Sequence, residues 1–298
     1  MNWHATNGIL HPTPPFNFEL SREWLKIVSE QDEDIMFGNH SIAKGTSVNR
    51  QAILFRLKSV GTIENPRLKF LLLSENPIYE NTRLIVLDRI SQFLSLYDNL
   101  NYFYRIGKND THFYPVLQKL YGYHPVKFLT LFENACWAVL QQNNTIESAR
   151  HMKRRMLHHF GTVIQMRQIR IHIFPEPEDL AFANYFDICN QLNDELKAES
   201  LQHLGRAFSD VSESFLVQSP YQTVFEWLIK IRGMSAWAAK YILLNGLGRT
   251  EHALLADKNL INSAGRCYGK LIYTGLATIA EQYGEWQGYW SRYLNIAA

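Results

Sequence analysis

The sequence has few cysteines and no long apolar run, and both absences narrow the classes of protein that it can encode. Its three cysteines, Cys136, Cys189 and Cys267, lie far apart and show neither CxxC nor cysteine/histidine ligand spacing. This pattern predicts neither a disulfide framework nor a zinc site, and it fits a reducing compartment. No uninterrupted run of about 18 apolar residues occurs, and the first residues lack the basic start and apolar core of a signal peptide. We therefore expect a cytoplasmic protein without a signal peptide or a membrane span.

An excess of one charge is also missing, because the formal net charge is only +2. Any contact with nucleic acid must therefore come from local clusters of basic side chains rather than from a global field. Two such clusters are visible: Arg150, Lys153, Arg154 and Arg155 on one predicted helix, and Lys230, Arg232 and Lys240 in a later segment. Both predict phosphate contacts, although a helix face that is merely solvated would have the same composition.

The chain has 298 residues, 46% of them hydrophobic, which is enough for a substantial core. Residues 51–74 contain two short apolar stretches around GTIENP, which predicts a two-stranded β element, and residues 83–96 read as a helix. After Tyr114 only helical periods are predicted. We therefore predict a mostly α fold with a small α+β N-terminal domain: an α/β domain with a short antiparallel β element at 1–110 and a helical region at 111–298.

Residues 224–246 have the pattern of two short helices joined by a tight turn. Apolar residues recur every three or four positions from Val224 to Ile231, Gly233 breaks the pattern, and a second helical period begins near Trp237. Ser235 is a natural N-cap for this second helix. The backbone N–H groups of its first turn are unpaired and lie at the positive end of the helix dipole, so they suit a phosphate oxygen. An ordinary helical hairpin without a ligand would show the same pattern.

Asp257 lies in ADKNLI, where a further helix is predicted to begin after this hairpin. This aspartate and the preceding GMSAWAAKY resemble the catalytic aspartate and the hairpin of the helix-hairpin-helix DNA glycosylases, in particular the AlkA-like DNA-3-methyladenine glycosylases II. Four more segments resemble that family in the same order: residues 132–161, FPEPEDLA at 174–181, LGRAF at 204–208, and EQYGEWQGYWSRYL near the C-terminus. Agreement of several ordered motifs is more specific than any one of them.

The resemblance implies the fold of these glycosylases, with the helix-hairpin-helix at 224–246 inside the helical region. It also implies an enzyme of base excision repair that hydrolyses the N-glycosyl bond of alkylated purines of the 3-methyladenine and 7-methylguanine type and leaves an abasic site. The expected partner is double-stranded DNA with a damaged base, bound by a monomer, in the nucleoid if the source is bacterial. The residues expected to bind DNA phosphates are Gly233, Met234, Ser235 and Lys240. No cofactor is expected, although a monovalent or divalent cation at the hairpin backbone stays open.

Asp257 is the catalytic residue that the resemblance implies. A carboxylate beneath the sugar stabilises the oxocarbenium-like charge that develops as the glycosidic bond breaks, and it orients or deprotonates the attacking water. Aspartate is also a common helix N-cap, and the two roles are compatible only if one carboxylate oxygen stays free. Bifunctional members of the superfamily carry a Schiff-base lysine where this chain has Trp237, so a monofunctional enzyme is expected. The iron–sulfur cluster of the endonuclease III branch would require four cysteines near the C-terminus, and these are lacking.

Three aromatic residues are expected in the base pocket: Trp237, Tyr241 and Trp24. The first two are spaced i and i+4 and so share a helix face, whereas Trp24 falls where the family's N-terminal domain contributes an aromatic. Packing of Trp24 in the core would explain it equally well. Alkylated purines are cationic, and an aromatic face attracts a cation by roughly 0.5–2 kcal/mol. An aromatic that the family carries near the last helix aligns here with Asn295 or Ile296, which leaves the choice of lesion open.

Gln142, Asn143 and Asn144 occupy a predicted loop between two helices, where the family inserts residues into the duplex as a wedge. Alkylpurine glycosylases usually insert an apolar residue there, whereas 8-oxoguanine glycosylases place an asparagine, so an 8-oxoguanine-type or other damaged-base glycosylase is an alternative. A non-catalytic helix-hairpin-helix DNA-binding module is a second alternative. Such a module would need the hairpin but not Asp257.

Overall fold

The computed structural model describes residues 3–29, 33–166, 169–269 and 272–297. An antiparallel five-stranded sheet near the N-terminus has the strand order β1-β5-β4-β3-β2. Its strands are β1 (His4–Leu10), β2 (Ile35–Gly38), β3 (Ser41–Val48), β4 (Gln51–Ser59) and β5 (Leu68–Ser74). Helices α1 (Phe18–Val28) and α2 (Glu80–Phe93) accompany it. The mostly α fold with a small α+β N-terminal part is confirmed.

The predicted β element was correct for β4 and β5 but too small, because β1, β2 and β3 were missed. Strand β3 is buried along almost its whole length, so it does not show the apolar/polar alternation of a strand with one solvated face. Its Gly45 lies so close to Ile173 that a Cβ atom there would come within 2.6 Å of that side chain. Small residues in β3 therefore allow a second layer to pack closely, which weakens the strand signal in the sequence.

That second layer is a short hairpin of β6 (Thr162–Met166) and β7 (Ile169–Ile173). The expectation that no strand follows Tyr114 was therefore wrong. Ile164, Ile171 and Ile173 pack with Leu54 of β4 in one buried cluster. Strands of five residues are too short to be distinguished by periodicity, and here they are stabilised by a sheet that lies far away in the sequence.

The remaining elements are helical. They are α3 (Asn101–Asn109), α4 (Tyr114–Lys119), α5 (Leu131–Gln141), α6 (Ile146–Phe160), α7 (Pro177–Ala181), α8 (Tyr185–Leu192), α9 (Glu195–Asp210), α10 (Glu213–Gln218), α11 (Tyr221–Ile229), α12 (Ala236–Asn245), α13 (Lys258–Tyr268), α14 (Ile272–Glu281) and α15 (Gln287–Ala297). One core cluster is formed by the central helices α5 to α12. Among the described helices, none is both long and apolar enough to cross a membrane.

A second helical core joins α3 and α4 to α13 and α15, on both sides of residue 110. Asp110 itself accepts hydrogen bonds from the hydroxyl groups of Tyr268 (2.6 Å) and Tyr283 (2.8 Å). The C-terminal helices are therefore fixed to the polar break at which the sequence suggested a boundary. The division into 1–110 and 111–298 stays a prediction.

Candidate active site

A cavity of about 670 Å³ opens between the N-terminal sheet, α5, the hairpin and the C-terminal helices. This volume lies within the roughly 300–1,000 Å³ of typical small-molecule sites. Its walls include all three predicted pocket aromatics and the predicted catalytic aspartate: Trp24, Trp237, Tyr241 and Asp257. These residues come from α1, α12 and the start of α13, so the tertiary fold brings together what the sequence only suggested.

The helix-hairpin-helix forms the aromatic wall of this cavity. Helices α11 and α12 are joined at Gly233, and Ser235 caps α12 by accepting a hydrogen bond from the Ala238 backbone N–H at 3.1 Å. The predicted hairpin and its N-cap are thus both present. The rings of Trp237 and Tyr241 lie 5.2 Å apart and are inclined by 35°. Together they present an extended π surface to the cavity.

Trp137 of α5 completes this wall, and the sequence had not indicated it. Its side chain lines the cavity together with Trp237 and Tyr241. Burial raises the pKa of Tyr241 above its usual range, while the nearby Trp137 side chain acts in the opposite direction. The tyrosine is therefore neutral at physiological pH.

Asp257 is both an N-cap and a cavity residue. Its Oδ1 atom accepts hydrogen bonds from the backbone N–H groups of Asn259 (2.8 Å) and Leu260 (3.2 Å) at the start of α13. Both bonds use the same oxygen, so Oδ2 makes no hydrogen bond to any residue that the structure describes. The condition for combining the capping role with chemistry is therefore met. Helix α13 holds the carboxylate rigidly and leaves one oxygen for a ligand.

Four charged residues form a buried cluster in the cavity wall, here called the charged quartet: Asp34, Lys44, Glu133 and Lys153. Lys44 pairs with Asp34, while Lys153 lies 2.9 Å from Glu133 and 3.7 Å from Asp34. Burial alone would raise the pKa of Asp34, but the charges of Lys44 and Lys153 outweigh it and hold this pKa at about 2. Asp34 is therefore ionised, and the quartet contains two acidic and two basic side chains.

Sequence reasoning missed the quartet, because its members come from four separate segments: the residue before β2, β3, α5 and α6. It had grouped Lys153 with Arg150, Arg154 and Arg155 as a basic helix face for DNA. That interpretation was wrong for Lys153, which is buried, and Arg150 and Arg155 bond to the backbone carbonyls of Val28 and Leu192. The basic side chains of Arg150, Lys153 and Arg155 on α6 thus make contacts within the protein.

Around the hairpin, in contrast, the predicted basic residues are exposed. Lys230 and Lys240 reach solvent on either side of the turn, while Arg232 is exposed but pairs with Glu199 at 2.8 Å. Met234, which was predicted to bind phosphate, is buried. The backbone N–H of Met234 also donates to the Ile231 carbonyl, at 3.0 Å, so neither its side chain nor its N–H is free for a phosphate in this structure.

Gln142 of the predicted wedge is bonded to the hairpin turn. Its Nε2 atom donates to the Gly233 carbonyl and its Oε1 atom accepts from the Ser235 N–H, both at 3.0 Å. Asn144 is also tied down, since its side chain donates to the Leu140 carbonyl. Asn143 is exposed and has a positive φ of 58°, so it is the member of the loop that projects from the surface. The loop and the hairpin consequently form one rigid edge beside the cavity.

Several residues that line the cavity are polar. Arg292 of α15 donates to the Asn245 side chain at 2.7 Å and also to the Val126 carbonyl. Gln141 Oε1 and Asn295 Oδ1 are buried, and neither has a hydrogen-bond partner among the described residues. Asn295 and Ile296 do line the cavity, at the place where the family's aromatic was expected. The cavity thus offers unpaired polar atoms in addition to the aromatic wall.

Gly233 shows how tightly the turn is packed. Its φ of 85° is a conformation that other residues adopt rarely, and a Cβ atom would lie 2.5 Å from the Cβ of Ser200 on α9. We expect Gly233→Ala to destabilise the protein by about 1–3 kcal/mol, measured by urea unfolding. Gly284 also has a positive φ but has open space around it, so Gly284→Ala should cost less. Equal losses in the two variants would show that contact with α9 is unimportant.

Comparisons with known proteins agree with this geometry. No family model matches the sequence. The chain is 25% identical to a DNA-3-methyladenine glycosylase of Bacillus subtilis strain 168, over 99% of this chain and 98% of that protein. Its fold is similar to that of a 3-methyladenine DNA-glycosylase from Archaeoglobus fulgidus, with a TM-score of 0.78, 16% identity and coverage of 96% and 97% of the two chains. It is also similar to an 8-oxoguanine glycosylase/lyase of Clostridium acetobutylicum, with a TM-score of 0.68, 13% identity and coverage of 99% and 98%.

These likenesses extend over nearly the whole chain, and they include both the N-terminal sheet and the helical region with its hairpin. The motif GMSAWAAKY forms the turn and the first part of the second helix of the expected hairpin, and Asp257 caps the next helix as the resemblance implied. The chain therefore has the fold of the helix-hairpin-helix DNA glycosylases, and its sequence is similar to that of a DNA-3-methyladenine glycosylase.

Proposed function

We propose that this protein is a monofunctional DNA glycosylase that takes a damaged purine into the cavity and hydrolyses its N-glycosidic bond, leaving an abasic site. The observation that carries the proposal is that the free Oδ2 atom of Asp257 and the aromatic wall of Trp237 and Tyr241 belong to one cavity. A flipped base can stack on the wall while its sugar lies over the carboxylate. A DNA-binding module without catalysis would have no need for this combination.

Asp257 acts in the proposed reaction through its charge. As the bond to the base lengthens, positive charge develops on the sugar, and a fixed carboxylate stabilises that charge more than it stabilises the uncharged ground state. The same oxygen can accept a proton from the attacking water. The N-cap hydrogen bonds to Oδ1 need no rearrangement during this process, so the group is already positioned for the transition state.

Alkylated purines are the substrate class that the cavity favours. Their positive charge is attracted by the faces of Trp237 and Tyr241, by roughly 0.5–2 kcal/mol. The charged quartet carries two positive and two negative groups, so it adds no net repulsion against such a cation. The relative from Bacillus subtilis is named for 3-methyladenine, which agrees with this assignment. 8-Oxoguanine is the alternative substrate.

The surface around the cavity suits a DNA duplex. Lys230 and Lys240 are exposed beside the hairpin. At the positive end of the α12 dipole, the backbone N–H groups of Ala236 and Trp237 make no hydrogen bond to a residue that the structure describes. Asn143 projects from the adjacent loop and is the residue that we assign to the gap left by the flipped base. Contacts of the two lysines and the helix N-terminus with phosphates position the duplex without reading its sequence.

Release of free bases from defined duplexes tests the proposal. We expect the protein to release methylated purines from a duplex treated with a methylating agent and to leave abasic sites without strand cleavage. A duplex with a single 8-oxoguanine opposite cytosine serves as the second substrate. Preferential release of 8-oxoguanine would overturn the substrate assignment, and release of no base from either duplex would favour the non-catalytic module.

Borohydride treatment should trap no covalent complex between this protein and DNA. Trapping requires a lysine that forms a Schiff base with the sugar, and the hairpin position that carries such a lysine in bifunctional members is Trp237 here. The measurement is denaturing gel electrophoresis, in which only a covalent protein–DNA complex migrates more slowly than the free DNA. The glycosylase/lyase of Clostridium acetobutylicum is the positive control.

An efficiently trapped complex would contradict the monofunctional assignment. Lys127 would then be the first residue to replace, because it lines the cavity and burial lowers its pKa. A lysine with a lowered pKa has a larger neutral fraction, which is the nucleophilic form. Lys240 and Lys258 do not line the cavity and would be tested next.

A further inference from the structure

Three potential metal ligands meet outside the cavity: Glu33, His158 and His172. Their ligand atoms all lie within 4.8 Å of one another. His158 belongs to the last turn of α6, His172 lies in β7, and Glu33 directly precedes Asp34 of the charged quartet. Three segments that are separate in the sequence are thus joined at one point. Because the three ligands lie far apart in the sequence, their spacing gave no sign of a metal site.

His172 is the residue that the rest of the fold leaves unexplained. It is only 1% exposed, yet neither of its ring nitrogens has a hydrogen-bond partner among the residues that the structure describes. A buried polar atom without a partner costs about 1–3 kcal/mol. A ligand that the described residues do not supply would satisfy a nitrogen of this ring.

The two histidines approach the two oxygens of the Glu33 carboxylate. The Nε2 atom of His158 lies 3.3 Å from Oε1 of Glu33, and Nε2 of His172 lies 3.5 Å from Oε2. Zinc binds nitrogen and oxygen at about 2.0–2.2 Å in a tetrahedron, whose ligand atoms are then about 3.3–3.5 Å apart. The three ligand atoms here lie within 4.8 Å of one another, so small side-chain movements would bring them to that spacing. The two imidazole rings lie with their centroids 4.3 Å apart, so both face the same small space.

We propose that Glu33, His158 and His172 form a binding site for a divalent transition-metal ion, with zinc as the ion that best fits two imidazoles and one carboxylate. Imidazole nitrogen is a preferred ligand of zinc, and hard ions such as Mg²⁺ and Ca²⁺ require more oxygen ligands than this cluster supplies. The role is structural. The ion joins α6 and β7 to the segment that carries Asp34, and so supports the charged quartet in the cavity wall.

The surroundings agree with a structural role. The backbone N–H of His172 donates to the Glu33 carbonyl at 3.1 Å, so the strand and the segment before β2 are already in register. The ion would add side-chain coordination to this backbone contact. The proposal does not depend on the proposed glycosylase activity, because it concerns residues that lie outside the cavity lining.

Zinc titration of the full-length protein, first stripped with a chelator, tests the site. We expect one Zn²⁺ per chain by calorimetry and a rise in the temperature of thermal unfolding when zinc is added. His158→Ala and Glu33→Gln should each weaken zinc binding on the order of 100-fold, since loss of an outer partner alone costs 10–100-fold. Both side chains are partly exposed, so both variants should fold.

His159→Ala is the matched control, because this neighbouring histidine is exposed on the same helix but lies outside the cluster. It should bind zinc as the unmodified protein does. The proposal is overturned if the unmodified protein binds no stoichiometric zinc. It is equally overturned if His158→Ala and Glu33→Gln bind zinc normally, because the ion would then lie elsewhere, for example at a cysteine.

Discussion

Replacement of Asp257 by asparagine is expected to reduce base release by about 10²–10⁴-fold while the protein stays folded and binds DNA. The substitution removes the negative charge that stabilises the sugar in the transition state. Asparagine is as good an N-cap as aspartate, so the hydrogen bonds to Asn259 and Leu260 can be kept. DNA affinity should be equal or higher, because one repulsion with the phosphates is lost.

Single-turnover base release and DNA affinity, measured on the same duplex, separate these effects. Asp194→Asn is the matched control, since Asp194 caps α9 in the same way but does not line the cavity. That variant should release bases at the unmodified rate. Turnover of Asp257→Asn at the rate of the unmodified protein would refute the proposed mechanism and make the role of Asp257 purely that of a helix cap.

Replacement of Lys153 by methionine is expected to lower the free energy of unfolding by about 3–5 kcal/mol. The change keeps an unbranched apolar side chain but leaves the quartet with two carboxylates and one lysine. An uncompensated charge in a buried site is costly, because neither water nor a counterion can solvate it. Urea unfolding gives the free energy, and Lys240→Met is the control at an exposed site, where the change should stay within about 0.5 kcal/mol.

A second substitution shows whether the loss comes from charge or from packing. Adding Glu133→Gln to Lys153→Met restores electrical neutrality, so the double variant should be more stable than Lys153→Met alone. A double variant that is less stable than the single one would contradict the charge explanation. So would a loss below about 1 kcal/mol in Lys153→Met, because a solvated lysine gives only such small effects.

The quartet also predicts that the free energy of unfolding decreases at acidic pH. The pKa of Asp34 falls from an ordinary value of 3.8 to about 2 in the folded protein. A lowered pKa means that the stabilisation is fully present above the unfolded value and is lost as the pH falls from about 4 toward 2. In Lys153→Met one of the lysines that lower this pKa is missing, so the loss should begin at a higher pH.

Local signals in the sequence were sufficient for the hairpin and the residues around it. The apolar period of α11 and α12, the break at Gly233 and the cap at Ser235 each depend on residues within one or two turns. The same holds for the position of Asp257 at the start of α13. Such features survive in any tertiary context, because propensity and capping act over a few residues.

Features that depend on distant partners could not be predicted in this way. Strand β3 and the β6–β7 hairpin pack on one another across more than a hundred residues. Strand β3 shows little alternation, and β7, although it alternates, has only five residues. The role of Gln142, which was predicted as a wedge residue, became visible only when its two bonds to the hairpin turn were seen. Both cases reflect contacts that no sequence window contains.

The sequence by itself thus determined the hairpin, its cap and the place of one carboxylate, because these follow from local backbone preferences. Only the tertiary structure decided that Lys153 is a buried partner of Glu133 rather than part of a DNA-binding face, and that Trp137 belongs to the aromatic wall. The physical reason is that the residue type alone does not determine what a charged or aromatic side chain does in the folded protein. Its energy depends on the dielectric and the partners that the folded chain places around it.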